Sequence, residues 1–185
     1  MKKILLLQTS FIGDVILATA VAERLHAVFP EVQIDFLLRK GNEGLLKGHP
    51  FLREVLVWDK QAGKYRDLFR LWRKIRKKKY DLVVNLQRFT ATGLLTALSG
   101  ARFRTGFDKN PLSFAFTHRM PHVFGTTENP VHEVDRNLSL IAPWTGRGKA
   151  KPRLYPQAKD RKSVPPAGTY ICMAPTSVWF TKQWP

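Results

Sequence analysis

Apolar and polar positions change period several times along the chain, and each change marks an element. Lys3-Ile4-Leu5-Leu6-Leu7-Gln8 is a short apolar run, long enough for a strand buried on both faces. Val15, Ile16, Ala18, Thr19, Val21, Ala22 and Leu25 then form a helical stripe that reaches Phe29, where Pro30 stops it. Residues 32–38 alternate and then turn fully apolar, as a second parallel strand does, and Arg39-Lys40-Gly41-Asn42 closes them. A short helix is expected over 43–46 and a third strand over 55–58. From Tyr65 to Lys79, Leu68, Phe69, Leu71, Trp72 and Ile75 fall near one face of a helix. Residues 80–86 form the clearest internal strand, followed by a small-residue helix over 91–98 and a short strand over 102–107. A further helix is expected to begin at Asn129, with Val131, Val134, Leu138 and Ile141 on its buried side.

Strands and helices that alternate in this way predict an α/β fold, a Rossmann-like doubly wound parallel sheet. Residues 1–144 make one such domain. Residues 145–168 are rich in Pro, Gly, Lys and Arg and read as a linker. Residues 169–185 open with a new strand, Thr169-Tyr170-Ile171-Cys172-Met173-Ala174-Pro175, and continue into a loop. A strand without a pairing partner exposes its edges, so the chain is expected to be the front part of a longer two-domain protein.

Composition narrows the picture further. The 185 residues are 44% hydrophobic and 24% charged, as in soluble globular proteins. No apolar run reaches the ~20 residues that cross a bilayer. The opening Met-Lys-Lys-Ile-Leu-Leu-Leu imitates a signal peptide, but Gln8, Asp14 and Glu23 break the apolar character downstream and no cleavage site is present. A cytoplasmic protein is expected. The single Cys172 excludes an internal disulfide framework, and the sequence spells no metal-ligand cluster.

The net charge of +17 implies attraction to polyanions, whether nucleic acid, anionic lipid or a phosphorylated glycan. Nucleic acid rests on charge alone, because zinc-finger, KH and RNA-binding aromatic signatures are missing, and it is not the expected partner. Neither a Gly-x-Gly-x-x-Gly fingerprint nor a phosphate loop ending in Gly-Lys-Ser/Thr is present. Nearly half the net charge lies in 64–79, where Lys64, Arg66, Arg70, Arg73, Lys74, Arg76, Lys77, Lys78 and Lys79 stand against Asp67 alone. Two readings stand: a solvated helix face, or a contact with an anionic membrane surface.

The crossing from first strand to first helix, Thr9-Ser10-Phe11-Ile12-Gly13-Asp14-Val15, carries the candidate chemistry. Gly13 lets the backbone turn sharply or a ligand come close. Asp14 falls in the first helical turn, where the helix dipole favours an ionised carboxylate. The carboxyl end of the first strand of an open parallel sheet faces the ligand crevice, so a general base is useful there. The same residue in the same position also serves as a helix cap.

Four stretches in order now agree with one family: Phe11-Ile12-Gly13-Asp14-Val15, Asp81-Leu82-Val83-Val84-Asn85-Leu86, His132-Glu133-Val134-Asp135-Arg136-Asn137-Leu138 and Lys182-Gln183-Trp184-Pro185. The chain resembles the amino-terminal half of glycosyltransferase family 9, the ADP-heptose:lipopolysaccharide heptosyltransferases. That resemblance implies a GT-B fold, here its amino-terminal domain plus the start of the second. It implies transfer of heptose from ADP-heptose to the lipopolysaccharide inner core with inversion, without a cofactor, at the inner face of the cytoplasmic membrane. Asp14 matches the catalytic base, and Thr176, Ser177 and Lys182 match the donor-phosphate site. Gly13, Arg39, Lys40, Gln87 and Arg88 become candidate acceptor-binding residues, and the last four also read as solvated loop positions. An inactive module that binds acceptor or an anionic surface, without a donor domain, is the alternative.

Overall fold

Ile4 and Leu6 point to one side of their strand and Leu5 and Leu7 to the other, and all four are fully buried. Each such leucine contributes about 2 kcal/mol of burial free energy, so no polar residue is tolerated among them. The computed structural model describes residues 1–61, 63–126, 128, 130–157, 168, 169 and 171. In chain order it comprises β1 (Lys3–Leu7), α1 (Ile12–Val28), β2 (Gln33–Arg39), β3 (Leu52–Trp58), α2 (Lys64–Lys78) and β4 (Leu82–Asn85). These are followed by α3 (Thr90–Ala97), β5 (Phe103–Phe107), β6 (His118–Met120), α4 (Glu133–Ser139) and α5 (Ala142–Thr145).

The strands form one parallel sheet in the order β3-β2-β1-β4-β5-β6. This is the expected doubly wound, Rossmann-like α/β arrangement. Ile4, Leu6, Phe36 and Val84 face Val21 and Leu25 of α1 and Val134 and Leu138 of α4. On the other side Leu5, Leu7, Leu37 and Val83 meet Leu68, Leu71 and Ile75 of α2 and Leu95 of α3. The strand order reverses between β1 and β4, and ligands of such sheets bind outside the carboxyl ends of the strands at that point.

Several elements differ from the sequence expectation for identifiable reasons. β3 begins at Leu52 because the side chains of Arg53 and Glu54 reach charged partners rather than a core. β6 and the 3₁₀ turn Ser113–Ala115 escaped the reading, since three polar-flanked residues at a sheet edge carry no period. α4 starts at Glu133, not Asn129, because His132 is its N-cap: His132 Nδ1 accepts from the Val134 N–H at 3.1 Å. Val131 is consequently exposed. Gly13 is an ordinary helical residue within α1, so it makes no sharp turn; a Cβ there would meet nothing within 4 Å.

Residues 146–157 return across α1, where the Arg153 N–H donates to Thr19 Oγ1 at 2.9 Å and the Tyr155 hydroxyl to Glu23 at 2.8 Å. The strand expected over 169–175 falls, but for Thr169 and Ile171, outside the described residues, as do Thr176, Ser177 and Lys182.

Candidate functional site

β1 and β4 end side by side, with Leu7 opposite Asn85; one residue further on, the Gln8 and Leu86 N–H groups still bond neighbouring strands, and beyond them side chains hold the chain. Lys60 Nζ donates to the Thr9 carbonyl and Asn42 Nδ2 to the Ser10 carbonyl, both at 3.1 Å. After β4, Asn110 Nδ2 donates to the carbonyls of Gln87 and Phe89, again at 3.1 Å. Gln87 is buried, and its amide joins the two exits. Its nitrogen donates to Thr9 Oγ1 at 2.8 Å and its oxygen accepts from the Ser10 N–H at 2.9 Å. A loop pair fixed this way holds its ligand groups in place without large rearrangement.

Above these exits lies a cleft of ≈ 240 Å³. Asp14 lines it from the start of α1, Gln87 and Arg88 from the end of β4, and Glu133, Arg136 and Asn137 from α4. Asp14 Oδ2 accepts from the Phe11 N–H at 3.1 Å, which closes the first turn of α1. The capping reading of Asp14 and its exposure to the cleft therefore hold together.

The far wall is cationic and aromatic. Arg88 and Arg136 both lie over the Phe124 ring, 5.4 and 5.5 Å from its centroid, so Phe124 keeps both guanidinium groups near the cleft. Arg136 Nη2 is 3.6 Å from Glu133. Burial first, then the charges of Arg136 and Arg88, holds the His122 imidazole below its usual range, and it is neutral at pH 7. Among the described residues His122 Nδ1, Arg136 Nε and Asn137 Nδ2 are buried without a hydrogen-bond partner. Such orphaned groups cost about 1–3 kcal/mol each, and a ligand rich in acceptor oxygens would remove part of that cost. The arrangement can take a polar molecule whose oxygens meet Arg88, Arg136 and the orphaned nitrogens, with the Asp14 carboxylate alongside.

Of the residues singled out in the sequence, Asp14, Gln87 and Arg88 come together in this cleft. Arg39 stands outside it with its guanidinium over Phe11 at 5.4 Å. Lys40 pairs with Asp59 at 2.7 Å, a hydrogen-bonded contact that raises its pKa. His122 and Phe124 were not anticipated, and Glu133, Arg136 and Asn137 entered only within the 132–138 stretch, without a site role. The signal available for three of them was the i, i+3, i+4 spacing of Glu133, Arg136 and Asn137, which puts them on one helix face. The segment with His122 and Phe124 has no period to read. Among the described residues no cluster of metal-ligating side chains occurs, and no helix is long and apolar enough to cross a membrane.

Comparison with known proteins gives the frame for this cleft. Lipopolysaccharide heptosyltransferase 3 of Escherichia coli is 29% identical over 191 residues, covering 94% of this chain and 54% of that protein. The lipopolysaccharide core heptosyltransferase OpsX of Haemophilus influenzae is 27% identical over 106 residues, 57% of this chain and 30% of its own length. The chain thus spans about half the length, or less, of these relatives. Among solved structures, a glycosyl transferase family 9 protein of Veillonella parvula matches with a TM-score of 0.74 at 22% identity, over 85% of this chain and 46% of that one. ADP-heptose LPS heptosyltransferase II of E. coli matches with a TM-score of 0.70 at 20% identity, over 88% and 49%. These likenesses show the fold, a Rossmann-like α/β domain. The pattern described as glycosyltransferase family 9 (heptosyltransferase) matches residues 68–185, which is more than half of the sequence and includes α4 with Glu133, Arg136 and Asn137. On that match the chain belongs to glycosyltransferase family 9.

Proposed function

We propose that this chain forms the acceptor-side domain of a heptosyltransferase that moves a heptose from ADP-heptose to the lipopolysaccharide inner core. Transfer inverts the anomeric centre and takes place at the inner face of the cytoplasmic membrane. The observation that carries the reading is that Asp14 lines the same cleft as Arg88 and Arg136. Inner-core sugars are acidic, and two guanidinium groups in a half-enclosed cleft favour carboxylate or phosphate oxygens. Asp14 takes the proton from the acceptor hydroxyl as its oxygen attacks the anomeric carbon, a role worth ~10²–10⁴-fold in rate. The larger demand is the departing diphosphate, which needs donors and positive charge. Lys182, with the hydroxyls of Thr176 and Ser177, supplies them. The 185 residues by themselves bind acceptor but give no measurable transfer, because catalysis requires acceptor and donor to be held together.

The test is a transfer assay with ADP-heptose and a heptose-deficient core acceptor, on the protein made from its complete reading frame. Transfer that fails in Asp14→Asn, while acceptor binding persists, supports the reading. Acceptor binding without any transfer in the parent protein would make it the inactive binding module instead. A parent rate in Asp14→Asn removes Asp14 from the mechanism.

A further inference from the structure

α2 carries more positive charge than any other element, and its two sides use that charge differently. Lys74 and Lys78 turn toward β2 and β3, where they pair with Glu54, and Lys78 also with Asp35 at 3.2 Å. On the opposite side the helical spacing lines up Arg66, Arg73 and Lys77, at i, i+7 and i+11, as one exposed stripe. Among the described residues no ion pair joins Arg73 or Lys77 to a carboxylate.

Beside that stripe an apolar groove of ≈ 350 Å³ runs between α2 and α3, lined by Tyr65, Phe69 and Trp72 on one side and Leu94 and Leu98 on the other. Tyr65 is 80% exposed, Phe69 56%, Leu98 44% and Leu94 40%. Trp72 Nε1 donates to the Leu98 carbonyl at 2.9 Å and Arg76 Nη1 to the same oxygen at 3.3 Å, so the groove floor is fixed and its polar groups are satisfied. Exposed apolar side chains flanked by cations on one helix are the signature of a surface that lies in a bilayer interface.

We infer that the α2–α3 groove and the cationic stripe beside it form a docking surface for an anionic lipid bilayer. The cations meet headgroup phosphates while Phe69, Leu94 and Leu98 enter the acyl boundary. A nucleic acid or an acidic peptide would occupy the cations but leave the aliphatic side chains of Leu94 and Leu98 without a partner. The surface also adjoins the cleft. Phe89, which lines the cleft, is the N-cap of α3, and Leu94 follows it by about 8 Å of helix. A lipid-anchored acceptor would therefore present its sugars to Arg88 while its anchor stays in the membrane. That last step rests on the proposed function, but docking itself is measured without transfer, so the two can fail separately.

The experiment is co-sedimentation of the 185-residue chain with vesicles of phosphatidylcholine containing phosphatidylglycerol. Each cation close to an anionic leaflet is worth about a fivefold factor in partitioning, so the triple variant Arg66→Gln, Arg73→Gln, Lys77→Gln should bind about 100-fold more weakly. A control with the same charge loss, Lys109→Gln, Arg119→Gln, Lys151→Gln, should stay within about fivefold of the parent. Phe69→Ser with Leu94→Ser should lower partitioning about tenfold and leave its salt response unchanged. Bromine-labelled acyl chains should quench Trp emission of the unmodified chain, a reading that needs no variant. Equal losses in the two triple variants, an unaffected serine pair, or absent quenching would each overturn the inference. So would tighter binding to a short poly-dT strand that the stripe variant abolishes.

Discussion

Two charged regions of the molecule, one under α2 and one in the cleft, show opposite uses of the same residue types. Under α2, the fully buried Asp35 accepts from Arg53 Nε at 2.9 Å, from Arg53 Nη2 at 2.5 Å and from the Tyr80 hydroxyl at 2.5 Å. Burial alone would push the Asp35 carboxyl up, yet the hydrogen bonds of Arg53, Tyr80 and Lys78 hold it below its usual range. The same burial, with Asp35 alongside, drives the Tyr80 phenol far above its ordinary value. Every member of that cluster has its partner within the domain. In the cleft, by contrast, Arg88 makes no ion pair among the described residues, and the buried nitrogens His122 Nδ1, Arg136 Nε and Asn137 Nδ2 are left without hydrogen-bond partners. A saturated cluster holds the fold; an unsaturated one is built for something that arrives.

The largest effect should come from breaking the saturated side. Asp35→Ala leaves Arg53, Lys78 and Tyr80 around an empty buried site, and should cost about 4 kcal/mol in denaturant unfolding. Asp35 also sets an acid limb. Its folded pKa is depressed, so its stabilisation is fully present above the unfolded value of ~4 and is lost as pH falls through the folded one. Unfolding of Asp35→Asn should therefore depend less on pH below ~4 than that of the parent.

A second acid limb belongs to His49, whose imidazole burial pushes down to about 4. The unfolded chain takes up this proton near ~6.5 and the folded one does not, so stability present above ~6.5 falls by about 3 kcal/mol on the way to pH 4. Melting curves of His49→Phe between those limits should be flatter; an unchanged slope would show that another group carries the loss.

On the unsaturated side, Asp14→Asn keeps the cap acceptor for the Phe11 N–H, so the melting temperature should barely move. The transfer rate of the protein from its complete reading frame should nevertheless fall by ~10²-fold or more. The smallest effect belongs to Arg88→Gln. Its side chain is exposed, so stability should stay within about 0.5 kcal/mol, while calorimetric affinity of the chain for an acidic core oligosaccharide drops roughly tenfold. If Arg88→Gln instead destabilises the fold and leaves affinity alone, the contrast between the two regions is wrong.

Much of this was legible from the residues in order. The continuous run Ile4–Leu7 and the apolar stretch around Val83 demand strands covered on both faces, because only a doubly wrapped sheet buries side chains of both parities. The stripe from Val15 to Leu25 demands a helix over that sheet, and Asp14 at its start follows from the chain turning at the carboxyl end of β1. Local pattern also identified α2 and its charge. It was silent on what each lysine does, since Lys77 and Lys78 are neighbours in sequence yet point to solvent and to Asp35.

The sequence by itself determined the class of fold, the strand-to-helix crossing with Asp14, and the excess of cations, because each depends on residues close together in the chain. Only the tertiary structure decided that Gln87 bonds Thr9 and Ser10, that Arg88 and Arg136 share Phe124, and that Lys78 is spent on Asp35 while Arg73 is not. Those contacts join residues from 12 to 78 positions apart, and no local period encodes them. They exist because parallel pairing brings the carboxyl ends of β1 and β4 together and lays α2 across the sheet, which is a property of the whole domain.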